Sequence, residues 1–467
     1  MKKIFLFIIL GFGCVSMFAQ DVIGTWNGVL KTQGIELRIV FHIDKNAGTY
    51  TATLDSPDQG AKGIPVAAVT LENDSLKLDI KTIYGKYEGK IESENKITGN
   101  FSQMGATMPL DLVKGTGEEK KVSRPQEPKP PFPYYSEEVK FVNKIDGDTL
   151  AGTLTLPKKE GKFPVVVMIT GSGPQNRNEE LMGHKPFLVI ADYLTRNGIG
   201  VLRYDDRGTA QSTGDFKKAT SYDFSKDVEA AMNYLMTRKD VNKKKIGLIG
   251  HSEGGIIAPM VAARNKNVAF IVLLAGTGVR GDKLLLMQAE AIGKVSGLSD
   301  EDLRKTKETN SGAYDLVLNS TDREKLKSDL KAYLKKAMEE NVDTGKTISQ
   351  EQKEAQITMM IELLSSPWMQ YFIKYDPVSA LEKIKIPVLA LNGSKDLQVP
   401  AKENLPVITE ALHKAGNKNF KTVELEGLNH LFQECKTGSP QEYAKIEQTF
   451  SPKALEEILN WIKIQIK

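Results

Sequence analysis

Residues 245–256 place a serine where it can act as a nucleophile. The apolar run 246–249 leads directly into Gly-His-Ser-Glu-Gly around Ser252, and a helical pattern follows. Small residues two positions before and after the serine permit a tight strand-to-helix turn, which raises the hydroxyl from the edge of a sheet. The N-terminus of the following helix also stabilises negative charge beside it. We therefore predict that Ser252 is a nucleophile.

A serine hydroxyl needs a general base, and the chain offers five histidines. Four of them are weak candidates. His42 lies in a β-rich segment, and His413 lies in a helical stretch. His184 lies in a loop where its ring could line a pocket, and His251 lies inside the serine turn and points away from the hydroxyl. The remaining one, His430, follows the last apolar run, within Glu-Gly-Leu-Asn-His-Leu-Phe. We predict that His430 is the base.

The acid that orients the base is expected between the serine and the histidine, on a loop after the penultimate strand. Asp396 fits this expectation because it follows the apolar run 387–392 by four residues. The order Ser252, Asp396, His430 is then that of a hydrolase triad. An aspartate in this loop could instead cap the next helix. Asp376 and the pair Asp205-Asp206 are the alternative acids.

The elements around these residues predict an α/β architecture. Short apolar runs alternate with amphipathic helical stretches, which indicates a parallel sheet covered on both faces. Between 275 and 387 the strand signal stops, and we predict a helical cap over about 277–377. Eight apolar cap residues could line an acyl pocket or pack inside the cap: Leu284, Leu285, Leu286, Met287, Met359, Met360, Trp368 and Met369.

The N-terminal part of the chain predicts further segments. Residues 1–19 have the basic start, apolar run and small final residue of a signal peptide, so we expect export to the periplasm or medium with cleavage near Ala19. Residues 20–114 alternate with period two and predict a small all-β domain, a barrel or a sandwich. A proline-rich linker is expected over 115–135, and the catalytic domain over 136–467. Loss of Cys14 leaves Cys435 alone, which excludes an internal disulfide.

From about Ser136 onward the chain resembles the α/β-hydrolase superfamily. It is most similar to bacterial secreted serine esterases that carry Gly-His-Ser-Glu-Gly-Gly and an N-terminal β module. The segment 204–212 is similar to the family's Asp-x-Arg-Gly-x-Gly-x-Ser loop, with Ala210 in place of glycine. Thr170 stands where the family more often has histidine.

The resemblance also implies an oxyanion hole. Its donors would be the backbone N–H groups of Glu253 and Ser172, the latter in Thr-Gly-Ser-Gly-Pro after an apolar strand. A purely structural glycine turn is the alternative. Arg177 follows in a segment that also resembles this esterase group, where it would either clamp an anionic substrate or pair with a local acid.

These observations predict a serine carboxylesterase that forms an acyl-enzyme on Ser252 and acts on small-molecule esters with short to medium acyl chains. A peptidase or acyltransferase using the same residues is the alternative, and a binding protein acting through the β domain is a third. We expect no cofactor and no metal, and no membrane span after cleavage of the leader. With a net charge of +4 and interspersed charges, the chain gives no indication of nucleic-acid binding.

Overall fold

The structure is a computed structural model. It describes residues 22–32, 35–57, 61–103, 106–115, 123–340 and 350–467. The predicted signal peptide and its cleavage site near Ala19, with Cys14, lie outside the described residues. The described chain falls into two compact units, one up to residue 115 and one from residue 123 onward.

The first unit is a single antiparallel sheet of ten strands curved into a half-barrel. The strand order is β4-β3-β2-β1-β10-β8-β7-β6-β5, with β9 paired to β8. Alternate residues point inward to one apolar core, in which Trp26, Phe41 and Tyr87 are fully buried. This confirms the small all-β domain expected from the period-two pattern. Its strands are β1 Gly24–Thr32, β2 Ile35–Asn46, β3 Thr49–Ser56, β4 Ala61–Pro65, β5 Ala68–Glu72, β6 Ser75–Ile80, β7 Gly85–Ser93, β8 Lys96–Gln103, β9 Ala106–Pro109 and β10 Leu112–Lys114.

The second unit is built on an eight-stranded sheet of order β11-β12-β14-β13-β15-β16-β17-β18. Only β12 runs antiparallel to its neighbours, and the strands from β14 to β18 are parallel. This order and the covering helices confirm the α/β-hydrolase fold. The strands are β11 Tyr135–Val142, β12 Thr149–Leu156, β13 Phe163–Ile169, β14 Gly200–Tyr204, β15 Val241–His251, β16 Phe270–Leu274, β17 Val388–Gly393 and β18 Phe420–Leu425.

Helices cover both faces of this sheet. On one face α2, α3 and α10 pack on the sheet, and on the other α1 and α11 do so. Burial of near-continuous apolar strands on both sides explains why these strands lack period-two alternation. The helices of the two faces are α1 Pro186–Arg196, α2 Ser221–Thr237, α3 Gly254–Ala262, α10 Ala401–Lys414 and α11 Pro452–Gln465.

The described residues between β16 and β17 form six helices, which confirms the expected helical cap. Most of them share an apolar core of their own, centred on Leu326, Leu330 and Ile373. Because the insertion follows the carboxyl end of β16, it lies over the edge of the sheet where the loops carrying Ser252 and Asp396 emerge. The helices are α4 Gly281–Val295, α5 Asp300–Asn319, α6 Arg323–Glu340, α7 Gln350–Leu364, α8 Pro367–Lys374 and α9 Val378–Leu381.

Part of the predicted proline-rich linker packs on the second unit. The Arg124 guanidinium donates hydrogen bonds to the carbonyls of Met182, Ala444 and Ile446. The Gln126 amide bonds the backbone of Thr449 and Phe450. From residue 123 onward this segment is therefore part of the second unit's surface. No helix of the described residues is long and apolar enough to cross a bilayer.

Candidate active site

Ser252 lies on a strained turn between β15 and α3. Its φ of 52° is in the left-handed region, and its N–H donates to the Leu274 carbonyl at 2.8 Å. A Cβ at Gly250 would lie 2.0 Å from the Gly254 carbonyl oxygen, and one at Gly254 would lie 2.2 Å from the Ile169 oxygen. Only glycine fits at these two positions, which gives the small residues of the motif a steric cause.

Asp396 and His430 meet at the same edge of the sheet. Asp396 follows β17 and His430 follows β18, and His430 Nδ1 lies 2.8 Å from Asp396 Oδ2. Both side chains are buried. Asp396 Oδ1 accepts the backbone N–H groups of Gln398 and Val399, each at 2.8 Å, so the carboxylate has one orientation. Because Nδ1–H donates to the carboxylate, Nε2 of His430 carries the lone pair that a general base needs.

The strand-to-helix turn that carries Ser252, called the elbow below, contacts the His430 loop through His251, the residue before the serine. His251 Nε2 lies 3.0 Å from the His430 backbone oxygen, and the two imidazole centroids are 4.8 Å apart. Within the described residues Ser252 Oγ and His430 do not form a hydrogen bond. Contacts of this kind are often long in enzymes without substrate. The structure thus brings Ser252 and the Asp396–His430 pair to adjacent loops.

Two backbone donors face the same space as Ser252. The N–H groups of Ser172 and Glu253 have no acceptor in the described part of the chain, and both residues line a cavity with Ser252. A Cβ at Gly171 would lie 3.2 Å from Ser252 Cβ, so the loop after β13 passes directly beside the nucleophile. Unpaired N–H groups in this position can stabilise an oxyanion.

The cavity over Ser252 is small, about 60 Å³. A dry cavity that binds benzene measures roughly 150 Å³. The cap contributes five side chains to the wall: Leu284, Leu285 and Gln288 from α4, and Trp368 and Phe372 from α8. Of the eight apolar cap residues with two possible roles, Leu284, Leu285 and Trp368 line the cavity, whereas Met360 and Met369 pack inside the cap.

The side chain of Glu253 connects the elbow to the cap. Its Oε1 accepts hydrogen bonds from Ser221 Oγ at 2.6 Å and from Trp368 Nε1 at 2.7 Å. The residue is 3% exposed, and burial raises the pKa of its carboxyl from 4.5 to about 6. No sequence motif pointed to a side-chain role for this residue beside its backbone N–H.

This raised pKa predicts that Glu253→Gln stabilises the protein at neutral pH. The native carboxyl binds a proton more tightly than the unfolded one, so stability falls as pH rises from about 4.5 to about 6 and stays lower above that. The glutamine oxygen can accept both hydrogen bonds without the charge. We expect a gain of up to about 2 kcal/mol at pH 8 that vanishes near pH 4.5. Thermal unfolding at both pH values measures it, with the exposed Glu403→Gln as control. An equal difference at both pH values would contradict this assignment.

The sequence expectation for His184 needs correction. His184 does not line the pocket but is 1% exposed and bonds Thr449 Oγ1 and the Tyr443 carbonyl. Burial lowers its pKa to about 4. The ring of His251 bonds groups other than the serine hydroxyl, in agreement with the expectation from the sequence: Nδ1 lies 3.0 Å from Glu179 Oε1, and Nε2 lies 3.0 Å from the His430 backbone oxygen.

Contacts show the surroundings of Arg177 and of the alternative acids. Arg177 pairs with Asp205 and Glu138 and is nearly buried, so it is not free to clamp a substrate. Asp206 accepts a hydrogen bond from Thr170 Oγ1 at 2.7 Å, and Asp376 Oδ1 accepts the N–H of Val378 at the start of α9.

Ala210, which stands where the family has glycine, and the thiol of Cys435 each have a local explanation. Ala210 adopts a φ of 48°, the left-handed conformation for which glycine is usual, so the loop keeps its geometry. Cys435 is half-buried and its Sγ lies 3.6 Å from the Gly427 carbonyl oxygen. Burial raises the pKa of this thiol, which disfavours a second nucleophile. The described residues contain no cluster of side chains suited to hold a metal ion.

Comparison with known proteins agrees with this architecture. The model of the X-Pro dipeptidyl-peptidase (S15) family matches residues 146–424, more than half of the chain. The matched region includes Ser252 and Asp396 and ends before His430.

The sequence identity to individual proteins is low. Esterase EstD of Thermotoga maritima is 26% identical over 336 residues, which is 71% of this chain and 70% of EstD. Human mitochondrial acyl-coenzyme A thioesterase 2 is 28% identical over 171 residues, 36% of this chain and 32% of the thioesterase, so the chain spans about a third of that relative. The solved structure of the α/β hydrolase GrgF from Penicillium sp. sh18 aligns with a TM-score of 0.43 at 17% identity, covering 71% of this chain and 99% of GrgF.

Proposed function

The chain belongs to the X-Pro dipeptidyl-peptidase (S15) family. Within this family, we propose that it is a serine hydrolase that cleaves carboxylic esters with short acyl chains. The observation that carries the proposal is the convergence of four loops at one sheet edge. They supply Ser252, the Asp396–His430 pair at 2.8 Å and two backbone N–H groups without acceptors. This is the set of groups that acyl transfer requires.

Each group has a defined task in the proposed reaction. His430 Nε2 takes the proton of Ser252 Oγ as the oxygen attacks the ester carbonyl. The N–H groups of Ser172 and Glu253 stabilise the oxyanion, each worth a factor of about 10² to 10³. His430 then protonates the leaving alkoxide, which leaves an acyl-enzyme. Water activated by the same nitrogen attacks this ester and releases the acid.

The size of the cavity supports short acyl groups. A space of about 60 Å³ is less than half of the roughly 150 Å³ that holds benzene, so it suits an acyl chain of a few carbons. The apolar side chains of Leu284, Leu285 and Phe372 suit such a chain, because each buried methylene contributes about 0.8 kcal/mol.

A peptidase that uses the same groups is the second candidate, because the family model is that of a dipeptidyl-peptidase. EstD and the thioesterase are named for ester-type bonds, which supports the first candidate.

A substrate panel separates the two candidates. We expect kcat/KM to be highest for p-nitrophenyl acetate or butyrate, at least tenfold lower for p-nitrophenyl decanoate, and lowest for dipeptidyl (X-Pro) p-nitroanilides. The pocket excludes long chains, and an amide is intrinsically harder to cleave than an aryl ester. Faster cleavage of an X-Pro arylamide than of any aryl ester would favour the peptidase. Preference for decanoate would contradict the proposed pocket.

A further inference from the structure

A buried side-chain pair joins three of the four loops of the candidate active site. Glu179 Oε1 accepts the backbone N–H of Gly171 at 2.7 Å, on the loop that carries Ser172. The same oxygen lies 3.0 Å from Nδ1 of His251, the residue before Ser252. On its other side, His251 Nε2 meets the backbone oxygen of His430 at 3.0 Å. The Glu179 carboxylate and the His251 imidazole therefore connect the loop that carries Ser172, called the oxyanion loop below, with the turn at Ser252 and the backbone of His430.

The partners of His251 define its protonation. A backbone carbonyl oxygen can only accept, so Nε2 of His251 must carry a proton. Nδ1 faces a carboxylate oxygen that already accepts the Gly171 N–H, so this nitrogen also donates. Burial alone lowers the pKa of His251, but the charge of Glu179 and its hydrogen bond raise that pKa above the ordinary value. These contacts and the raised pKa favour an imidazolium at His251 facing the carboxylate of Glu179, and both residues are under 10% exposed.

The backbone of Glu179 is strained in a way that fits this role. Its φ is 51°, in the left-handed region that a residue with a side chain rarely adopts. Such a conformation is unfavourable and persists where surrounding contacts hold it. The contacts of Glu179 with Gly171 and His251 are contacts of this kind.

We propose that Glu179 and His251 are positioning residues that hold the oxyanion loop, Ser252 and His430 in the relative positions that acyl transfer requires. The inference rests on the proposed function. Asp396 orients the ring of His430, whereas His251, which Glu179 holds, fixes the backbone of His430, so the two contacts act on different parts of the base. Loss of the pair leaves the substrate cavity intact and displaces the oxyanion donors and the base relative to Ser252.

Kinetics of Glu179→Gln, His251→Gln and the double variant test the proposal. Glutamine at 179 keeps the shape and the acceptor oxygen but removes the charge, and glutamine at 251 can reach only one of the two acceptors. We expect kcat for an aryl acetate to fall about 100-fold in each single variant, as for a misplacement of roughly 1 Å, with KM within twofold. We expect the double variant to be no more than threefold below the worse single variant, since the two side chains act as one unit.

The control separates positioning from general destabilisation. Thr155→Val removes a buried hydrogen bond to Thr195 of 2.7 Å, on β12, and is expected to lower the melting temperature while leaving kcat unchanged. The positioning role is wrong if folded Glu179→Gln and His251→Gln retain kcat within twofold of the wild type. It is also wrong if the two variants lose kcat/KM only through a rise in KM. An inactive wild type would instead contradict the proposed function.

A spectroscopic measurement on the wild type does not depend on the folding of variants. With ¹⁵N-labelled histidine at pH 6, we expect one buried ring with two slowly exchanging N–H protons, that of His251. Absence of such a slowly exchanging, doubly protonated ring at this pH would overturn the charged pair.

Discussion

Ser252→Ala is expected to remove esterase activity down to the background rate. Loss of the nucleophile in a serine hydrolase costs about 10⁶ in kcat. The substitution deletes one oxygen and adds no atom, and the left-handed φ of 52° already accommodates a Cβ at this position. Turnover of p-nitrophenyl acetate by purified wild type and variant measures the loss, and circular dichroism checks that the variant is folded.

The matched control for this variant is Ser225→Ala. Ser225 is a fully buried serine on α2 whose hydroxyl donates to the Tyr222 carbonyl, and it is not part of the candidate site. We expect this control to keep its activity. A folded Ser252→Ala protein that retains more than about 1% of wild-type turnover would show that another group is the nucleophile.

Asp396→Asn is expected to lower kcat by about 10⁴ with little change in stability. Oδ1 of this residue accepts two backbone N–H groups, so the asparagine oxygen takes that place and its NH₂ group faces His430. An NH₂ donor beside Nδ1 forces the proton onto Nε2, which then cannot accept the proton of Ser252. The same tautomer reversal costs about 10⁴ in the serine protease template.

The control for the acid is Asp376→Asn. Asp376 is one of the alternative acids from the sequence, and its carboxylate accepts the Val378 N–H at the start of α9. Measurement of kcat and KM for both variants on the same ester tests the choice between them. If Asp376→Asn were the more damaging substitution, or if folded Asp396→Asn kept more than a tenth of wild-type kcat, the assignment of the acid would be wrong.

The fold class could be predicted because the strands of the second unit are recognisable from composition alone. β13, β16, β17 and the second half of β15 are apolar on both faces, and a parallel sheet under two helical layers is the architecture that buries such strands. The absence of a strand signal over about 110 residues likewise predicted the cap.

The candidate site shows where sequence patterns end. Ser252, Asp396 and His430 were found because a motif and the chain order restrict them. Glu179 was not found, because its role depends on a loop that approaches His251 from 72 residues away and no local pattern encodes that approach. The same holds for Arg177 and His184, whose partners lie on other elements. Their local segments left either role open.

Labelling with a fluorophosphonate probe tests the central claim most directly. The probe reacts with an activated serine and leaves a covalent adduct, which mass spectrometry of proteolytic peptides assigns to one residue. We expect a single adduct on Ser252 in the wild type and none in His430→Ala, because the Ser252 hydroxyl is not activated without its base. An adduct on another residue, or a folded wild type that stays unlabelled, would contradict the account.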